Sequence, residues 1–397
     1  MSTKNNKKPP IVKAIPYDEK NSYENNAELL RESSSLNRNS SSSSSTQQQE
    51  ENININIKKK FIDPDILGAK RYLQTAGWPL GLQEALIKSI KKLPYRYFIC
   101  DDSGSMLTAD GHKVMGKNEN TKIVSCTRWS ELAESLRFHA ELAIAAQAPS
   151  EFRLINLHKP VMVGNGENDN ENLEELFELF DNGPAGQTPI CHHINAVIKE
   201  IQQMKSQLLA EKKKVAVIIS TDGEATDGDI AETMKPLQDL PVWVVVRICT
   251  DEDKIVSYWN DIDEELELEI DVLDDFSAEG EEVTAVNSWM TYGQSMHQLR
   301  EFGAIIKECD LLDESTLSSE QILTVIGILI GDGNSRQFPH PEVDWNGFLS
   351  KVNECNNNNP KIFDPLTKMM KPWININNLC KTFKKSNTTK SSSCAIS

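Results

Sequence analysis

Tyr95–Met106 reads YRYFICDDSGSM. The first six residues are a dense β-type run with aromatic and apolar side chains. Two aspartates, two serines and a glycine then follow at once. A run this apolar suits a strand covered on both faces, and such strands belong to parallel sheets. Ligands of open parallel sheets bind outside the carboxyl ends of the strands. Asp101 therefore falls where a binding edge is expected.

The surrounding sequence alternates in the same sense. RWSELAESLRFHAELAIAAQ (128–147) has helical spacing of Leu, Phe and Ala. FRLINL (152–157) and VMVG (161–164) read as strands, and ENLEELFELF (171–180) as a short helix. CHHINAVIKEIQQMKSQLLAEKKK (191–214) is a longer helix with Lys gathered at its C-terminal end. VAVIIS (215–220) and PVWVVVRIC (241–249) are buried strands separated by the helix-like DIAETMKPLQDL (229–240). DKIVSYWNDIDEEL (253–266) reads as helix and LEIDVLDDF (268–276) as a last strand. The expected fold class is α/β: a doubly wound, mainly parallel sheet with helices on both faces.

Composition divides the rest of the chain. Residues 1–60, typified by SSSLNRNSSSSSSTQQQEENININI (33–57), are expected to be a disordered tail. ILGAKRYLQTAGWPLGLQEALIKSIKKL (66–93) gives a helical prelude over 61–93, broken at Gly77, Trp78 and Pro79. The α/β domain takes 94–283, a helical extension 284–331, an irregular region with ECNNNNP (354–360) 332–379, and a basic flexible tail 380–397. There is no internal repeat.

With 397 residues and a net charge of −17, the chain argues against nucleic acid as a partner. Its eight cysteines show no C-x-x-C pair. MSTKNNKKPP is no signal segment, and the best apolar run, ILTVIGILIG (322–331), is short for a membrane span. The expectation is an intracellular protein with reduced thiols.

Asp101, Ser103 and Ser105 form D-x-S-x-S. A loop around a small point can aim all three inward, and hard oxygens suit Mg²⁺ or Mn²⁺ better than zinc or copper. Six-coordination needs more donors. GPAGQTPI (183–190) supplies Thr188 before a long helix, and VAVIISTDGEATDGD (215–229) supplies Asp222 after a buried strand.

With these three pieces in order, the sequence resembles the von Willebrand factor A domain and its metal-ion-dependent adhesion site, over roughly 94–276. The resemblance implies hydroxyl ligation by Ser103, Ser105 and Thr188, with Asp101 and Asp222 as carboxylate ligands, directly or through water. It also implies capture of a protein partner that presents an acidic side chain to the ion, rather than catalysis. LTADGHKVMGKNENTKIVSCT (107–127) is longer than the family's usual passage into the first helix, and a hairpin or flap near the site is expected.

Several neighbouring features are read as structural. Asp227 and Asp229 suit a turn and a helix N-cap. Cys191–His193 fall on the first turn of a helix and point to different faces. Cys126 is an apolar filler, and DEELELEIDVLDD (263–275) a solvated helix face and strand end.

The chain finishes KKSNTTKSSSCAIS (384–397). Cys394–Ser397 match C-a-a-X, and a final serine favours farnesylation of Cys394. The pattern implies a prenylated lipoprotein with a methylated carboxyl terminus. Lys381, Lys384, Lys385 and Lys390 add a polybasic second signal for the anionic cytoplasmic face of a membrane. Cys380 is read as structural rather than acylated. The tail resembles those of prenylated small GTPases, but no G-x-x-x-x-G-K-[ST] loop is present.

The leading reading is a metal-dependent protein-binding adaptor tethered to a membrane, not an enzyme. The alternatives are an Mg²⁺-dependent hydrolase and a metal-free interaction platform using the C-terminal helices. Phosphatases of the haloacid dehalogenase type need D-x-D, and Ser103 breaks that pair.

Overall fold

The computed structural model describes residues 61–116, 118–157, 159–250, 252–332 and 337–383. The expectations for residues 1–60 and for Cys394 lie outside them.

The sheet has six strands in the order β5-β4-β1-β6-β7-β8. They are β1 (Arg96–Cys100), β4 (Ser150–Leu154), β5 (Val161–Val163), β6 (Val215–Thr221), β7 (Val242–Ile248) and β8 (Ile270–Leu273). All neighbours run parallel except β5, which pairs antiparallel with β4. This is the doubly wound α/β fold expected, consistent with a Rossmann-like or von Willebrand A-like sheet. Every residue of β1, β4, β6 and β7 is buried. That explains the mainly apolar runs of β1, β6 and β7, whereas β4 buries Ser150, Glu151 and Arg153.

Side chains of β1 alternate between two cores. Phe98 and Cys100 enter one, Tyr97 and Ile99 the other. The second is closed by α5 (Ile190–Ala210), α6 (Ile230–Met234) and α7 (Asp253–Glu265). The first is closed by a larger set: α1 (Ile66–Thr75), α2 (Leu80–Lys92), α3 (Arg128–Ala146), α4 (Asp169–Asn182), α8 (Phe276–Val286), α9 (Gln294–Glu301), α10 (Lys307–Asp310), α11 (Ser319–Leu329) and α12 (Trp345–Asn358).

Two expectations change in detail. The helix expected over 229–240 stops after Met234 and continues as a 3-10 turn, Lys235–Asp239, with Pro236 inside it. The prelude breaks as expected, with Gly77 at φ 78, and packs on the rest of the fold. A Cβ on Gly81 of α2 would meet the Ile328 carbonyl oxygen at 2.3 Å, so α2 packs directly on α11.

The region 332–379 is not irregular. It carries α12 and a hairpin of β9 (Ile362–Asp364) and β10 (Met369–Lys371). Asn-rich sequence misled here because α12 buries only a narrow stripe, Phe348, Val352 and Asn356, spaced four apart. Asn356 holds both the carbonyl and the amide of Ile374.

No helix among the described residues is long and apolar enough to cross a membrane. ILTVIGILIG becomes α11, whose apolar residues are buried in the first core.

Candidate functional site

β1 and β6 are adjacent and parallel, so their carboxyl ends deliver two loops to one place. The Asp101 amide donates to the Ser220 carbonyl at 2.8 Å and continues the ladder one step. The chain then turns through a 3-10 segment, Gly104–Leu107. Asp101, Ser103 and Asp222 are buried, and Ser105 is exposed at the mouth.

The side chains converge across 117 residues of sequence. Ser105 donates its hydroxyl to Asp222 Oδ1 at 2.8 Å, and Ser103 Oγ lies 2.9 Å from Ser105 Oγ. Asp101 Oδ1 accepts from the Ser103 amide at 2.9 Å, and Oδ2 from the Thr221 hydroxyl at 2.7 Å. Burial pushes the Asp101 carboxyl up, against these hydrogen bonds that favour its charged form.

The Thr188 loop is tied to the same place by backbone. The Ala185 amide donates to the Asp102 carbonyl at 2.7 Å, and the Gly104 amide to the Gly186 carbonyl at 3.2 Å. Gly186 sits at φ 111, and a Cβ there would meet Asn156 Oδ1 at 2.3 Å. Only glycine fits that turn. Asn156 in turn donates to Asp102 Oδ1 at 3.0 Å and to the Gln187 carbonyl at 2.9 Å. The second aspartate of the opening motif is thus a fastener between loops. Thr188 is buried, and its hydroxyl makes no hydrogen bond among the described residues.

Asp227 and Asp229 are caps. Asp227 accepts from the amides of Cys191 and His192 at the start of α5, and Asp229 from the Glu232 amide. His193 is buried, with Nε2 3.0 Å from the Ile155 carbonyl oxygen. Segment 107–127 forms the expected hairpin, β2 (Gly111–Met115) with β3 (Lys122–Cys126). It lies on α3: the His112 amide donates to Glu131 at 2.7 Å.

Sequence reasoning missed Arg128. Its guanidinium donates to Asp222 Oδ2 at 3.0 Å, to both oxygens of Asp110 at 2.6 and 2.8 Å, and to Glu252 at 3.1 Å. The Asp110 carboxylate foremost holds the guanidinium well above its usual range. One signal was available. Arg128 opens α3, where a helix disfavours a cation unless carboxylates hold it there.

A second group of carboxylates lies elsewhere. Oxygens of Glu279, Glu282 and Asp313 fall within 4.8 Å of one another and could hold a metal ion. Glu279 also pairs with Arg300, and burial pushes its carboxyl up to about 8. No family model matches the chain, and no curated protein matches it.

Proposed function

We propose that the chain is a metal-dependent protein-binding module of von Willebrand A type, with Mg²⁺ or Mn²⁺ held at the β1–β6 edge. One observation carries the reading: Ser103, Ser105 and Asp222 meet within hydrogen-bond distance although their strands are far apart in sequence. Ser103, Ser105 and Thr188 would hold the ion through hydroxyls, and the free Thr188 hydroxyl fits that role. Both oxygens of Asp101 and of Asp222 already accept hydrogen bonds, which suits contact through water. The ion supplies a positive centre for an acidic side chain of a partner. The residues themselves keep the site rigid: Asp101 and Thr221 fix the first loop, Asn156 and Gly186 the second.

The hydroxyls and carboxylates of this edge are engaged with one another and with Arg128, and binding is the role we assign them. The membrane half of the reading rests on Cys394–Ser397 and the Lys-rich tail, in sequence alone. It places the module on a cytoplasmic membrane face through a farnesyl group. Mass spectrometry of Cys394 in a prenylating cell, beside Cys394→Ser, tests it.

The metal reading is tested by calorimetric titration of Mg²⁺ and Mn²⁺ into chelator-stripped protein, with Asp101→Ala and Thr188→Ala alongside. Saturable binding, lost in both variants, is expected. Unchanged binding in both variants sinks the assignment. Phosphatase turnover lost in Asp101→Ala would instead favour the hydrolase.

A second reading is favoured by Arg128. Its guanidinium already neutralises Asp222, as a built-in cation would. The domain would then bind partners without metal. Absent ion binding, with partner capture unaffected by chelator, selects this reading.

A further inference from the structure

β8 is an edge strand: it pairs with β7 on one side and, among the described residues, with no strand on the other. The Val244 amide donates to the Glu269 carbonyl at 3.1 Å. Parallel pairing in the observed register then turns Asp271 and Leu273 toward β7. The amides and carbonyls of Ile270 and Val272 face outward. Natural edges are usually blunted by lysine, proline, bulges or a covering element. β8 itself, IDVL, carries neither lysine nor proline, and beside it a cavity of about 500 Å³ is lined by Ile270, Asp271, Val272 and Asp274.

Two helices wall this cavity. Asp263 and Glu264 project from α7, and Glu279 and Glu282 from α8. Asp313 and Glu314 close its far side. Eight carboxylates line it against one arginine, Arg300, which is already spent on Asp271 and Glu279.

We propose that the β8 edge is a docking groove for an extended, lysine- or arginine-bearing segment of a partner protein, which adds as a further strand. Outward amides and carbonyls of Ile270 and Val272 supply the backbone ladder, and side-chain alternation sends every second residue of the guest toward the acidic walls. The inference is independent of the metal reading. It uses none of the residues assigned to the ion at the β1–β6 edge, although it shares Glu279, Glu282 and Asp313 with the second carboxylate group.

The test uses the full chain and a labelled ten-residue peptide of alternating lysine and valine, followed by fluorescence anisotropy. Saturable binding is expected. It should weaken at least 10-fold when every peptide amide is N-methylated, which keeps the charge and removes the donors. It should weaken at least 30-fold in Glu282→Lys/Glu314→Lys. Both side chains are exposed, so the fold tolerates the change. An alternating glutamate and valine peptide should not bind. Equal binding of the N-methylated and parent peptides would overturn strand addition. Equal binding by the double variant would place the peptide elsewhere and overturn the site. Tenfold tighter binding by Lys384→Glu/Lys385→Glu/Lys390→Glu would give the groove to the chain's own tail, against a partner segment.

Discussion

Arg128 is the residue on which the chemistry of the β1–β6 edge turns. It is buried and touches three carboxylates from three separate loops, Asp110, Asp222 and Glu252. Truncating one partner of a buried ion pair leaves the other charge desolvated, at a cost of about 3–5 kcal/mol. Arg128→Gln should therefore lower the urea stability of chelator-treated protein by about 3 kcal/mol. If an ion binds beside Asp222, the same variant should bind Mg²⁺ about 10-fold more tightly, because a competing positive charge has gone. Urea unfolding with EDTA and with Mg²⁺ measures both effects. A variant that loses stability equally with and without Mg²⁺ would speak for Arg128 as the resident cation.

At the scale of elements, α9 is fixed by charge as much as by apolar packing. Glu301 at its end meets the Arg247 Nε at 2.5 Å, accepts from Ser135 at 2.6 Å, and lies 3.3 Å from His139. His297, one turn earlier, lies 3.5 Å from the same carboxylate, and Tyr292 OH is 3.1 Å from its Nδ1. Burial, opposed by the Glu301 charge, lowers His297 from 6.5 to about 4. A lowered histidine favours the neutral form in the fold. Its contribution is present above pH 6.5 and is lost on acidification toward pH 4. The full loss is about 3 kcal/mol.

Glu279 acts with the opposite sign. Its raised carboxyl takes up a proton in the fold first, so stability rises as pH falls from about 8 to 4.5. The histidine term is isolated by difference. The fall in urea stability between pH 7 and pH 4.5 should be about 2–3 kcal/mol smaller in His297→Gln than in the native chain. An equal fall would show that His297 is charged in the fold. The Thr188 loop makes a separate point at this scale. Gly186→Ala puts a Cβ against Asn156 at positive φ, and a loss of about 1–3 kcal/mol is expected with displacement of Thr188.

At the scale of the whole molecule, the segments before and after the α/β alternation share its core. Arg96 in β1 donates to the Phe302 carbonyl at 3.1 Å, and its guanidinium lies 4.2 Å from the Phe302 ring. Trp373, just after β10, is fully buried, and its carbonyl accepts from the Thr291 amide at 2.8 Å. Trp373→Ala should cost about 3–5 kcal/mol in a single cooperative urea transition. Two separate transitions would show instead that 332–383 unfolds as its own unit.

The sequence by itself pointed to the sheet, because strands covered on both faces are largely apolar, as 95–100, 215–220 and 241–249 are; β4, wholly buried although it carries Ser150, Glu151 and Arg153, was less legible. It also singled out Asp101, Ser103, Ser105 and Asp222, since carboxylates and hydroxyls directly after buried strands stand against the local pattern, and Thr188, from a Gly- and Pro-rich loop before a long helix. Only the tertiary structure decided how those groups are used. Arg128 is spent on Asp222 because the hairpin root and α3 meet there, a contact set by packing and invisible to spacing. The same holds for α12, whose three buried positions gain their meaning only from Ile374 and Phe383 against them. The open edge of β8 is likewise a matter of strand order, and strand order is fixed by how helices cover the two faces, not by any one strand's residues.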